Sequence, residues 1–192
     1  MIPTRNACFE IMYKYEMLDN IRSHSVVVAR VAHLIAKGLM DAGIDISVEK
    51  VMAGALLHDI GKTPSLRSGG DHCEIGRQIC LQNHLDEIAD IVGEHVTLKD
   101  YSISGTYSEK GIVYYADKRV NHDSIVSLQE RLAYIILRYG RNQESLCRQI
   151  RKNFEFCKLV EKRLFRKLDF SPEALPELLE NTSDSLELDQ VN

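Results

Sequence analysis

Apolar side chains recur every three to four residues along most of the chain, and sustained alternation is nearly absent, so the pattern predicts helices rather than sheet. In residues 4–18 the stripe is Ala7, Cys8, Ile11, Met12, Tyr15 and Leu18. From Ile21 to Ala42 it is Val27, Val28, Val31, Leu34, Ile35 and Leu39, closed by Asp41-Ala42-Gly43. A central helix begins at Val48 behind Ser47 as N-cap and is expected to break at Gly61. The Gly-, Ser- and Pro-rich stretch Lys62 to Gly70 reads as a mobile loop. Helical period returns at about Asp71 to Gln82, Leu85 to His95, Ser108 to Val120, Ser127 to Tyr139 and Gln143 to Leu168, with a short helix after Pro172 reaching Glu180. Ser102 to Tyr107 is the one place where brief strand pairing is expected. The fold class is therefore all-α, a compact multi-helix bundle forming one domain over residues 1–180. Its core spans about 21–122 and its C-terminal helices about 127–180. Residues 181–192 are acidic with few bulky side chains and read as a disordered tail.

Composition narrows the partners. With 192 residues, 44% of them apolar, the chain suffices for one well-formed core. Net charge is −4, so no global basic field draws it to nucleic acid or an anionic membrane, and neither partner is expected. The segment Arg141 to Lys167 holds nine Lys or Arg against three Glu and reads as a solvated helix face rather than a polyanion site. Five cysteines with no C-x-x-C pair suggest reduced thiols in a cytoplasmic protein. No run of eighteen apolar residues occurs, so no membrane span is expected.

The candidate chemistry lies in histidines and aspartates that the helical phase puts on apolar faces. His24 shares a face with Val27 and Val28, His58 follows Val51 and Ala55, His72 goes with Ile75 and Ile79, His95 ends the face of Ile88, Ile91 and Val92, and Asp117 lies one turn after Val113. Asp59 adjoins His58. Each imidazole could be separately hydrogen-bonded in the core, and for a single histidine that is the commoner case. Six such groups buried without a common purpose would cost much of a domain's stability. Convergence on metal is the simpler explanation. His33, out of phase with His24, and His84 and His122, in polar junctions, are not expected to be ligands.

In the contexts Arg22-Ser23-His24-Ser25, Leu56-Leu57-His58-Asp59-Ile60-Gly61-Lys62 and Tyr115-Ala116-Asp117-Lys118, the chain resembles the HD superfamily of metal-dependent phosphohydrolases in its HDIG form. The likeness covers about Ile21 to His122. His72 and His95 match positions found in members that hold two metals, and the layout resembles the bacterial symmetric diadenosine tetraphosphate hydrolases. The resemblance implies a first metal held by His24, His58, Asp59 and Asp117, and a second bound with help from His72 and His95, with Asp59 bridging. Two branches fit less well. His95 is followed by Val96, and Gly105-Thr106-Tyr107 replaces a Gly-Tyr-Pro segment, against a cyclic-di-GMP phosphodiesterase. Gly61-Lys62-Thr63 stands where alarmone hydrolases carry an acidic pair.

The function implied is that of a metal-dependent phosphohydrolase acting on a nucleotide or related small phosphate ester or anhydride through a metal-activated water. The expected cofactors are one or two divalent transition ions (iron, manganese, zinc, cobalt or nickel), two being favoured by the donor set. Asp59 and Lys62 are the catalytic candidates. Lys62, Arg67 and Lys118 are candidates for phosphate oxygens, although a lysine at position 62 can equally complement a helix dipole. The alternative from another class is a noncatalytic ligand-sensing or partner-binding module. Oligomeric state is open, a homo-oligomer included.

Overall fold

Helix α2 (Asp19–Asp41) is the axis of the molecule, because its apolar stripe of Ile21, Val28, Val31, Ala32, Ile35, Ala36 and Leu39 is wholly buried. The computed structural model describes residues 1–141 and 143–181. Helix α1 (Arg5–Lys14), capped by the Thr4 hydroxyl, leads into α2, which packs most extensively on α3 (Val48–Leu57). The Ser47 side chain accepts from the Lys50 amide to start α3, as its N-cap chemistry predicts. Helices α5 (His72–Gln82) and α6 (Asp86–Glu94) pair with each other, and α6 closes on α3 at Gly54, where an added Cβ would meet Ile91 at 2.6 Å. Helix α7 (Glu109–Lys118) lies across α2, α3 and α6 with Ile112, Val113, Tyr114 and Tyr115 buried. The result is all-α apart from one small hairpin.

Three expectations are corrected. Helix α3 ends at Leu57 rather than Gly61, so His58 to Gly61 form a tight turn, with Ile60 N–H donating to Leu57 and Lys62 N–H to Asp59. The stretch read as a mobile loop is instead helix α4 (Lys62–Ser68). Its Pro64 stands in the first turn, where a missing amide costs nothing, and Gly69 at φ 76° supplies the left-handed C-cap. Residues that looked like loop punctuation are the helix's own start and stop. Finally, Ser102 to Tyr107 forms a turn, with Gly105 N–H donating to Ser102, and not a strand. The strand pair found is β1 (Val120–Asn121) with β2 (Ser124–Ile125), turned by His122 at φ 55°.

Beyond the hairpin, α8 (Leu128–Tyr139) starts on a capping box of Ser127 and Glu130, and α9 (Glu144–Phe165) buries Phe154, Cys157, Val160 and Leu164. Tyr114 and Tyr115 of α7 donate to Asn153 and Glu161 of α9, joining the C-terminal helices to the core. Arg148, Arg151, Lys152, Lys158 and Lys162 on the other face of α9 are exposed. A 3₁₀ turn (Pro172–Ala174) and α10 (Leu175–Asn181) complete the described chain, and the acidic tail beyond Asn181 lies outside it. No helix among the described residues is long and apolar enough to cross a membrane.

Candidate metal centre

Five separate elements bring the six donors together at one cavity of about 870 Å³, which five of them line while His58 is buried among them. His24 comes from the second turn of α2, His58 and Asp59 from the turn after α3, His72 from the first residue of α5, His95 from the C-cap of α6, and Asp117 from the last turn of α7. The turn is held in place by backbone contact. A Cβ on Gly61 would lie 2.1 Å from the His72 carbonyl oxygen and 2.6 Å from the Gly76 amide nitrogen, so only glycine lets the His58-Asp59 turn sit against the start of α5.

Asp59 divides the donors into two lobes. Its Oδ2 faces His58 Nε2 at 3.2 Å and His24 Nε2 at 3.9 Å. Its Oδ1 faces His95 Nε2 at 3.3 Å and His72 Nε2 at 3.9 Å. Asp117 Oδ1 completes the first lobe, 3.1 Å from His24 Nε2 and 3.7 Å from His58 Nε2. His58 and His95 rings meet edge on at 4.9 Å between centroids, so the two lobes are contiguous.

Second partners fix how three of the imidazoles present their nitrogens. His58 Nδ1 lies 2.7 Å from the Ala55 carbonyl, His95 Nδ1 2.6 Å from the Val92 carbonyl, and His24 Nδ1 2.7 Å from the His122 carbonyl. A carbonyl only accepts, so each Nδ1 carries the hydrogen, and in the neutral ring each Nε2 turns a lone pair toward the carboxylates. His58 Nε2 and both oxygens of Asp59 are buried without a hydrogen bond. Lone pairs facing lone pairs at 3 to 4 Å in a buried site call for cations between them, and divalent ions that accept nitrogen and oxygen fit.

The carboxylates and the cations and imidazoles around them shift one another. Burial works to raise the Asp59 carboxyl, but His58, Lys62 and His95 outweigh it and hold it well below the usual carboxylate range. Asp117 is likewise held down against burial by Lys118, His24 and Arg131. His58, although fully buried, is raised because Asp59 and Asp117 favour its charged form, so a metal ion held there would displace a proton from Nε2. His72 is pushed down to about 4 by burial and by neighbouring His95, so its lone pair stays free to ligate near neutrality.

The cationic candidates separate. Lys62 Nζ stands 2.6 Å from Asp59 Oδ2, without the alignment of a hydrogen bond, and lines the cavity. Lys118 also lines it, but its ammonium is buried and committed: it donates to the His95 carbonyl at 2.5 Å and to Asp117 Oδ2 at 3.2 Å, and lies over the Tyr114 ring. Arg67 points elsewhere, to Glu16 at 2.6 Å on the surface, because the helical form of α4 turns it from the cavity. Tyr101 packs edge on to Phe156, and Tyr107 lies under Arg163.

Two features escaped the sequence reading. Arg131 of α8 donates to Asn121 and approaches Asp117 Oδ1 at 3.7 Å, on a stripe with Tyr134, Ile135 and Arg138 that the three-and-four spacing does reveal. Cys73 Sγ lies 3.7 Å from His72 Nε2. Its thiol is pushed up to about 12 by burial, so it stays neutral.

Comparison with known proteins decides the lineage. A family model described as HD domain matches residues 21–122, the span that holds all six donors. The chain belongs to the HD domain family. Members of the HD domain family are generally metal-dependent hydrolases, and this chain has His/Asp clusters that could hold a metal ion. An uncharacterized protein of Methanocaldococcus jannaschii is 30% identical over 164 residues, 74% of this chain and 91% of that protein. A tRNA (cytidine(56)-2'-O)-methyltransferase of Thermoplasma volcanium is 35% identical over 97 residues, 50% of this chain and 27% of that one. A ribonuclease Y of Fervidobacterium nodosum is 38% identical over 78 residues, 40% of this chain and 14% of that one. No solved structure matches the chain significantly.

Proposed function

We propose that this HD domain is a two-metal phosphohydrolase acting on a nucleotide or related small phosphate ester or anhydride. The observation that carries the reading is Asp59, whose two buried oxygens each face a separate pair of imidazole nitrogens and have no hydrogen-bond partner. His24, His58, Asp59 Oδ2 and Asp117 would hold one ion, and Asp59 Oδ1, His72 and His95 the other. Ions held there supply a nucleophilic water at neutral pH and neutralise phosphoryl oxygens.

The chain's own groups do the rest. The carbonyls of Ala55, Val92 and His122 keep three rings oriented, so little reorganisation accompanies binding. Lys62 is the cation placed to contact a phosphoryl oxygen, since it lines the cavity beside Asp59 and is one-third exposed. Lys118 is a positioning residue: it fixes Asp117 and the end of α6 from behind.

The test is hydrolysis of a panel of nucleotides and simple phosphomonoesters by protein loaded with manganese or iron, alongside metal analysis. Turnover that follows metal content supports the reading. Full metal loading with no turnover of any compound, a short oligoribonucleotide included, would reject it in favour of a ligand-sensing module. The oligoribonucleotide belongs in the panel because two relatives carry RNA in their names.

A further inference from the structure

Part of the cavity wall comes from α8, outside the matched HD span. Arg131, Tyr134, Ile135 and Arg138 all line it, and their spacing of three, four and seven residues puts them on one helix face. The inner end of this stripe is fixed at the metal centre by Arg131, 3.7 Å from Asp117. Arg138 lies seven residues on, two turns or about 10 Å farther along the axis. Arg141 follows just past the end of α8 and also lines the cavity.

The cations near the donors already have partners: Lys62 has Asp59, Lys118 has Asp117 and the His95 carbonyl, and Arg131 has Asn121 and Asp117. Among the described residues Arg138 and Arg141 have no ion-pair partner, and the only acidic residues lining the cavity are Asp59 and Asp117, near Arg131. Uncommitted guanidinium groups at a cavity mouth are suited to phosphate, which matches their planar fork of donors.

We propose that Arg138 and Arg141 form a second phosphate subsite at the outer end of the cavity, so that the chain selects substrates with two or more phosphate groups over monophosphates. This rests on the phosphohydrolase reading for which end holds the scissile group, but the distal anion preference can be measured without turnover.

The probes are two ligands with bonds no phosphohydrolase cleaves: pentane diphosphonate, with a phosphonate at each end, and pentylphosphonate, with one. Calorimetric titration into the full chain, with manganese in excess over ligand, should give about tenfold tighter binding of the diphosphonate, the worth of one charge-assisted contact. The combined Arg138→Gln and Arg141→Gln variant should bring the two affinities together. An undiminished preference in that variant, or no preference in the wild-type chain, overturns the inference. Failure to hydrolyse anything would reject the phosphohydrolase reading, while the titration still decides the subsite.

Discussion

His58 Nε2 and Asp59 Oδ2 face each other at 3.2 Å in a buried site, while Nδ1 of the same ring lies 2.7 Å from the Ala55 carbonyl. Two neighbours in the chain thus present a nitrogen and an oxygen to the same small space, as the proposed metal site requires.

On the proposed two-ion reading, metal stoichiometry depends on one carboxylate. Asp59→Ala should lose both ions, whereas His72→Ala, which removes a donor from the Oδ1 lobe alone, should lose one of two. Elemental analysis after dialysis reads the difference. Equal metal content in the two variants would remove the bridging role.

Lys62 competes for the same oxygen, since its ammonium lies 2.6 Å from Asp59 Oδ2. Lys62→Met should therefore tighten manganese binding while lowering turnover by about 10- to 100-fold, the value of a charged contact to a phosphoryl oxygen. Metal titration and steady-state rates on one preparation check both signs.

Gly61→Ala should destabilise the protein by about 3 kcal/mol, near the upper end for overpacking, because the clashing atoms are the backbone of α5 and cannot move aside. Chemical denaturation measures it. Activity should fall as well, since the same contact places His72 relative to Asp59.

Lys118→Met leaves Asp117 buried without its adjacent cation, so a loss of about 3 kcal/mol is expected. A substrate-binding lysine would raise KM with stability unchanged. The reverse, a lower denaturation midpoint with KM nearly intact, is the outcome its buried contacts predict.

His33, outside the cavity, gives a pH effect separate from the metal ligands. Burial and nearby Lys37 hold its pKa below the ordinary 6.5, so the unfolded chain binds that proton more readily. The contribution to stability is present above about pH 6.5 and is lost as pH falls below it. His33→Gln should flatten the decline in folding free energy between about pH 6.5 and 5, relative to the wild-type chain under the same metal excess.

The meeting of His24, His58, His72, His95 and Asp117 was legible because each follows the phase of an apolar helix face, which survives any error in helix ends, whereas Asp59 entered only as the neighbour of His58. The His58 turn was not: Val51, Ala55 and His58 stay in register through residues that no longer form a helix. Pro64 and Gly69 misled for a different reason, since the residues that interrupt helices also begin and cap them. Arg131 was hidden because its role depends on where the hairpin places the start of α8 relative to Asp117, which the spacing of its own stripe does not record. The hairpin after Asp117 was missed because two paired residues per strand are too few to show alternation.

The hydrogen bond from His24 to the His122 carbonyl links residues 98 positions apart. Contacts of such range are slow to form, because loop closure must be met before any stabilisation is gained. The orientation of His24 is thus settled only once the hairpin has formed, so the six candidate donors come together as a product of the whole matched span rather than of any one helix.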